Sequence, residues 1–275
     1  MTQQSHQSPA APDKGEALGR TVLSVARHRS LGHLTLSSTT LAGIVLLPVL
    51  FNVVEWQLRI PLSTAWTAIF GFWLKRLEIA GVVSERLTSM AWFDMPLPHV
   101  EVVASLPDGV TWLVAAALTI LVCLVALRLS DKYLPLRYLL LFAVFIQVTA
   151  LIFFGVVPER FPYTASGYVD NGLKTAVSFL LLLPWAHALV YYIFDFSWSR
   201  KIGLTMMTLT FVVVAVPLQL MLHVYVMCRW SLLCLPLLSF LLGPSMILFG
   251  CIALYGWAMS WQSLGRGARA CERSA

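Results

Sequence analysis

The sequence predicts an all-α integral membrane protein, built as a bundle of six transmembrane helices. Hydrophobic residues make up 59% of the chain and charged residues only 12%, which is about half the charged share of soluble domains. Six long apolar stretches also support this fold, because most reach the roughly 20 residues needed to cross a hydrocarbon layer about 30 Å thick. The stretches are 38–56, 110–127, 138–157, 175–194, 202–227 and 231–257.

The first 35 residues precede the membrane domain, which is predicted at 36–261. Residues 1–17 are rich in Gln, Ser, Pro and Ala, a composition typical of disorder. Residues 18–31 alternate apolar and basic side chains. This pattern fits an amphipathic helix on the membrane surface, and it equally fits a basic flank that fixes topology.

Positive charges are concentrated in alternate connections. Twelve Lys and Arg lie in the N-terminal segment, in 128–137, at 200–201 and in the tail 262–275, while seven lie in the other connections. The positive-inside rule places the first group in the cytoplasm. We therefore expect a multi-pass protein of a bacterial cytoplasmic (inner) membrane with both termini in the cytoplasm.

Residues 57–109 are then predicted to form a cap on the outer face. The apolar run 61–74 is too short for a comfortable crossing, and a crossing there would reverse every later connection against the charge rule. We expect an interfacial or re-entrant helix within 61–83. Four aromatic residues suit a membrane–water interface: Trp66, Phe70, Phe72 and Trp73.

A short strand or β-hairpin is expected in 91–109, also on the outer face. Residues 99–105 alternate partially and include three valines, and the turn signal Leu-Pro-Asp-Gly follows them.

The later spans contain Pro184, Pro217, Pro236 and Pro244, which can kink a transmembrane helix. Ser239 and Gly243 form a small-xxx-small pair, a pattern that allows two helices to approach closely.

Few polar side chains are expected at membrane depth, where burying them is costly and function is the default explanation. They are Asn52, Glu55, Gln147, His187, Gln219 and His223. Gln147 and Gln219 both lie roughly 12–15 Å below the outer surface, so they could form a structural hydrogen bond between helices. His187 and His223 differ in depth by about 13 Å. We therefore predict no shared metal site, and the sequence indicates no cofactor.

Other polar residues could converge near the outer leaflet. The candidate catalytic residues are Glu55, Arg160 and His223, and the candidate binding residues are Arg59, Gln147, Asp170, Asn171 and Gln219. Such a cluster could hold a lipid headgroup or a peptide. The alternative is that these are ordinary boundary residues in contact with water.

The pair Glu55 and Arg59 has the Glu-x-x-x-Arg spacing that resembles one element of a family of intramembrane proteases. The two side chains of such a pair share a helix face. The Phe-x-x-x-His and His-x-x-x-Asn elements of that family have no match in this chain.

A second resemblance covers residues 57–174. Their order is interfacial helix, extended segment, span, basic turn, span and outward arginine, carried by HVEVVASLPDG, LRLSDKYLPLRY and PERF. This order resembles the exosortase/archaeosortase membrane transpeptidases. Those enzymes place a nucleophilic cysteine before the span, where this chain has Val-Val-Ala-Ser-Leu. Ser105 has no evident base, and the Asn-x-x-Arg element has no clear match. The resemblance therefore implies a non-catalytic relative or an exosortase-associated membrane protein.

The function predicted first is a non-enzymatic accessory or scaffold subunit of an envelope protein-sorting, lipid or polysaccharide system. Its expected partners are the lipid bilayer and other membrane protein subunits, and no nucleic acid. A transporter or channel subunit is the first alternative. An outer-leaflet enzyme of the exosortase-like or intramembrane protease type is the second.

Overall fold

The computed structural model describes residues 38–90, 93–193 and 198–272 and is about 80% helical. The expectations for 1–35, including the surface helix at 18–31, lie outside these residues, as does the end of the tail 262–275. Within the described part, the helices are α1 (Ser38–Gln57), α2 (Arg59–Arg76), α3 (Gly109–Arg128), α4 (Leu134–Val156), α5 (Ala165–Ile193), α6 (Trp198–Arg229), α7 (Leu235–Leu241) and α8 (Pro244–Glu272).

The membrane-protein prediction is confirmed at the level of helix length and composition. Five helical segments of the described chain are long and apolar enough to cross a membrane. The number becomes six if α1 and α2, which are bent by 59° at their junction, form one broken span. The six-span arrangement in a bilayer stays a prediction.

Helices α5 and α6 form the centre of the bundle and run antiparallel, because Tyr168 contacts His223 and His187 contacts Thr205. The bundle therefore has two ends. The hairpin end contains the β-hairpin, the turn after α4 and the last turns of α6. The opposite end contains the α3–α4 turn and the start of α6, where Gly43 of α1 packs against the Trp198 ring. Of the connections predicted to be cytoplasmic, 128–137 and 200–201 belong to the opposite end.

A β-hairpin is present, with its second strand inside the predicted segment 91–109 and its first strand before it. Strand β1 (Gly81–Ser89) pairs with β2 (Asp94–Val102) in antiparallel register, from Gly81↔Val102 to Ser89↔Asp94. No local pattern indicated β1, because its side chains are mostly exposed and lack alternation. The residues after Val102 lead into α3, whose first turn is capped by the Asp108 carboxylate accepting from the Thr111 amide at 2.9 Å.

The expectation that the aromatic residues of α2 contact a membrane–water interface is wrong for Trp66 and Phe70, while the interfacial or re-entrant position of the helix stays a prediction. Trp66 and Phe70 are fully buried, and α2 packs against α6 and both strands. Ser63, Trp66, Phe70 and Leu74 recur at helical spacing and form this buried face. Only Phe72 is exposed as an interfacial residue would be. Helix α2 is therefore part of the bundle.

Helix α2 also ends earlier than 83. Its C-terminus is a Schellman motif, in which the Ile79 amide donates to the Leu74 carbonyl at 3.0 Å. Glu78 occupies the left-handed position of that motif with φ 54°, where glycine is the usual residue.

The last apolar stretch, 231–257, is divided rather than continuous. Helix α7 ends at Leu241 and α8 begins at Pro244. A side chain at Gly243 would collide with the Ser239 carbonyl oxygen of the same chain. The small-residue pair Ser239 and Gly243 thus allows a sharp break between α7 and α8. The close backbone contact that this pair was expected to permit between two neighbouring helices lies instead within this one segment of chain.

Prolines inside the helices leave backbone carbonyls without a donor, and polar side chains supply one. Pro217 has no N–H to donate to the Val213 carbonyl four residues earlier. The Trp66 indole donates to that carbonyl at 2.9 Å. At the α7–α8 break, the Gln219 amide donates to the Leu242 and Gly243 carbonyls.

A polar contact also lies beside Pro184 in α5. With the Asn52 amide oriented to match its neighbours, its nitrogen lies 3.2 Å from the Leu181 carbonyl oxygen and its oxygen 3.0 Å from Trp185 Nε1. The carbonyl that Pro184 leaves without a helical donor is that of Leu180, four residues earlier, so Asn52 contacts a different carbonyl. The Trp66 hydrogen bond is therefore the one of these contacts that satisfies a backbone group freed by a proline.

Candidate functional site

A cleft of about 350 Å³ lies between the hairpin and α5 at the hairpin end. Its lining consists of Arg86, Leu87, Thr88 and Ser89 from β1, Leu97, Pro98 and His99 from β2, and Asp170, Leu173 and Lys174 from α5. This space is the hairpin cleft. It brings cations, a carboxylate, an imidazole and two hydroxyls together above the buried side chains of Leu97 and Leu173.

The closest polar contact in the hairpin cleft joins His99 and Asp170. His99 Nδ1 lies 2.9 Å from both carboxylate oxygens of Asp170. An ionised carboxylate can only accept, so Nδ1 carries the hydrogen in this contact. In the neutral ring Nε2 then has a free lone pair, and it lies 3.7 Å from Glu101 Oε1. A carboxylate that holds an imidazole in one tautomer is also the arrangement that prepares a histidine as a general base.

The hairpin is fixed against α5 at its open end. Ser166 Oγ accepts a hydrogen bond from the Val102 amide at 3.1 Å and donates to the Val102 carbonyl at 3.2 Å. Near the other end, the Phe93 ring packs edge-on against Trp56, with centroids 5.2 Å apart. Since both ends are held, the cleft is largely preformed.

Two cations in the hairpin cleft have no anionic partner within the described ranges. Arg86 of β1 is exposed and Lys174 of α5 is half-buried. The carboxylates of Asp170 and Glu101 near the cleft both lie against the His99 ring, at 2.9 and 3.7 Å. Because Asp170 is engaged by His99, Arg86 and Lys174 remain available to an anionic ligand.

His223, a predicted catalytic candidate, is fully buried in α6. Its Nδ1 lies 2.8 Å from the Tyr168 hydroxyl oxygen, and its Nε2 has no hydrogen-bond partner among the described residues. Tyr168 lies between His223 and a neighbouring groove. The structure therefore places this histidine behind the surface, separate from the hairpin cleft.

Glu55 and Arg59 lie on the two sides of the α1–α2 bend. Arg59 donates to the Trp56 carbonyl at 2.8 Å and its guanidinium lies 4.4 Å from the Trp56 ring centroid. Both carboxylate oxygens of Glu55 are buried without a partner in the described part of the chain. Glu55 and Arg59 form no ion pair among the described residues, and the chain bends by 59° between the helices that carry them.

Arg160 and Asn171 do not join the hairpin cleft. Arg160 is exposed in the short turn after α4. Asn171 lies on the other side of α5 from Asp170, where it lines an apolar groove of about 560 Å³ between α5, α6 and the α7–α8 break. The predicted outer cluster is therefore dispersed, and only Asp170 of its members lines the hairpin cleft.

The deeper polar residues have separate surroundings. The Gln219 amide is used at the α7–α8 break, so the hydrogen bond expected with Gln147 is not formed. Gln147 Oε1 is buried without a partner in the part of the chain that is described. His187 Nδ1 lies 3.3 Å from Thr205 Oγ1.

Sequence reasoning missed His99, the residue that organises the hairpin cleft. A usable signal was present in Pro-His-Val-Glu, because residues 99 and 101 of a strand point to one face. Its pairing with Asp170, 71 residues later, depends on the docking of the hairpin against α5, which no local pattern shows.

Among the residues that the structure describes, no group of three or more His, Cys, Asp or Glu side chains could hold a metal ion. Comparison with protein-family models, with curated proteins and with solved structures found no match to this chain. The resemblance to exosortases therefore depends only on the order of its elements.

Proposed function

We propose that the protein is an accessory subunit of the membrane that acts by binding at its hairpin end. The observation that supports this proposal is the hairpin cleft, where Arg86, His99, Asp170 and Lys174 surround one preformed space. The cleft is built from a central helix and a hairpin that is held by contacts at both ends, the kind of support that a recognition site needs. An envelope protein-sorting, lipid or polysaccharide system is the proposed context.

Part of the polar interior is committed to structure. Trp66 and Gln219 donate to backbone carbonyls in α6 and at the α7–α8 break, so these two side chains are not free to contact a solute. Glu55, Gln147 and the Nε2 atom of His223 have no partner among the described residues, and a transport path would use groups of this kind. The transporter or channel alternative is therefore tested directly, by the flux measurement below.

Site-specific photo-crosslinking in native membranes tests this proposal. A photoreactive residue at Leu87, which is 74% exposed beside the hairpin cleft, is expected to capture a defined membrane or envelope partner. The matched control is Tyr133 at the opposite end, which is 51% exposed and is expected to capture only lipid. Equal capture at both positions, or solute flux through the purified protein in liposomes, would contradict the accessory role.

An outer-leaflet enzyme is the second candidate, and the contact between His99 and Asp170 is the observation that favours it. This pair could accept a proton from a bound substrate. Replacement His99→Gln removes the base and keeps a side chain of similar length. Loss of the cellular phenotype with normal partner crosslinking from Leu87 would support the enzyme, whereas an unchanged phenotype would exclude His99 as its base.

A further inference from the structure

We propose that the hairpin cleft binds a phosphate group, with Arg86 and Lys174 as the cations that hold it. This inference deepens the proposed function, since it names the ligand class of the same site. The shared chemistry is a phosphate oxyanion, supplied either by a lipid headgroup or by a soluble phosphate compound.

The charges in the cleft favour an anion. Arg86 and Lys174 have no carboxylate within ion-pair distance in the described chain, while the one carboxylate of the lining, Asp170, is held by His99 at 2.9 Å. Arginine binds phosphate through paired N–H donors and lysine binds it as a point charge. The hydroxyls of Thr88 and Ser89, which also line the cleft, can donate to the remaining oxygens.

The position of the cleft along α5 matches the level of lipid headgroups. Lys174 is the last charged residue of this helix, and 175–193 contain no Asp, Glu, Lys or Arg. A basic residue at the start of a long apolar segment is typical of the membrane–water interface. The exposed Leu87 beside Arg86 gives the same rim an apolar surface.

The size of the cleft also fits a small polar group. A volume of about 350 Å³ is near the lower end of ligand sites, which are roughly 300–1,000 Å³. It can hold a phosphate with a short substituent, while any acyl chains of a lipid would stay outside in the bilayer.

Binding to purified, delipidated protein in a non-ionic detergent tests the proposal. The soluble probe is inorganic phosphate, measured by calorimetry. The lipid probe is short-chain phosphatidic acid, compared with a neutral diacylglycerol of the same chains that lacks the phosphate. We expect saturable binding of at least one phosphate probe and none of the diacylglycerol. Preference for phosphatidic acid indicates a headgroup, and preference for inorganic phosphate indicates a soluble ligand.

Paired variants connect the binding to the cleft. The double substitution Arg86→Gln/Lys174→Gln should weaken phosphate binding at least tenfold. The matched control, Lys75→Gln/Arg76→Gln, removes two exposed cations at the end of α2 outside the cleft and should change it less than twofold. The charge-conserving variant Arg86→Lys/Lys174→Arg should retain binding within about threefold. This retention would show that both positions tolerate substitution, and an unchanged circular-dichroism spectrum of the glutamine variant would show that its loss of binding does not come from misfolding.

Two results would overturn the phosphate site: no binding of either phosphate probe to the unaltered protein, or equal weakening by the cleft and control pairs. Neither result would remove the accessory role. Partner crosslinking from Leu87 tests that role separately, and it can persist when phosphate binding is absent.

Discussion

The hydrogen bond between Trp66 and Val213 allows a quantitative test of how α2 is held in the bundle. Trp66 is fully buried, and its indole donates to the Val213 carbonyl at 2.9 Å. Pro217 cannot donate to this carbonyl because it has no N–H. Replacement Trp66→Phe removes the donor and leaves the carbonyl unsatisfied, which costs about 0.6–1.7 kcal/mol inside a membrane bundle in addition to the lost packing.

A double-mutant cycle with Pro217→Ala separates these two terms. In the Pro217→Ala background the new backbone N–H can donate to the Val213 carbonyl, so Trp66→Phe should cost only its packing term. Intramembrane hydrogen bonds measured in this way are worth about 0.6–1.7 kcal/mol. We therefore expect the free energy lost by Trp66→Phe to be smaller by this amount when the proline is replaced by alanine.

The assay is reversible unfolding of the purified protein in mixed detergent–SDS micelles, followed by circular dichroism. Trp73→Phe is the control, because Trp73 is a half-buried residue of the same helix and is expected to be additive with Pro217→Ala. If Trp66→Phe is also additive, to within about 0.3–0.5 kcal/mol, the indole does not replace the donor missing at Pro217.

Three further predictions use the same assay. Gly243→Ala should destabilise the protein by about 1–3 kcal/mol, because the new methyl group would overlap the Ser239 carbonyl. Gly256→Ala is the control, since Gly256 has open space around it and alanine there should stabilise the helix by about 0.5–1 kcal/mol. Equal effects of the two substitutions would contradict the break at Gly243. Glu78→Gly should stabilise by about 1 kcal/mol by relieving the left-handed backbone, and Glu78→Ala should not. The hydrogen bond from Thr111 lowers the pKa of Asp108 below its usual value of 3.8. The stabilisation of α3 by this cap should therefore be complete above about pH 4 and lost as the pH falls through the lowered pKa. If the free energy of unfolding of an Asp108→Asn variant falls with decreasing pH as steeply as that of the unaltered protein, this prediction is wrong.

The sequence was informative where local pattern decides structure. Apolar length and low charge predicted the helices α3 to α6, because each must cover a long backbone with apolar side chains. The Leu-Pro-Asp-Gly signal predicted the entry to α3, where Asp108 forms the cap.

The sequence was misleading where two distant segments decide the result. The aromatic residues of α2 suit an interface in isolation. Trp66 and Phe70 are buried because α2 packs against α6 and the hairpin, and the hydrogen-bond partner of Trp66, Val213, lies 147 residues later in the chain. The strand β1 has a polar, exposed pattern and forms because β2 pairs with it. Asp170 could be proposed as a binding residue from its position at the end of a span. Its pairing with His99 could not be proposed, because that pairing depends on how the hairpin docks against α5.

Single-cysteine labelling tests whether the hairpin cleft faces the outer side of the membrane, as the proposed function requires. Ser89→Cys reports on the cleft and Ser130→Cys on the α3–α4 turn at the opposite end, each in a variant with all five native cysteines replaced. A membrane-impermeant maleimide applied to intact cells should label the cysteine at position 89 and reach position 130 only after permeabilisation. Labelling of position 130 alone in intact cells would contradict the account.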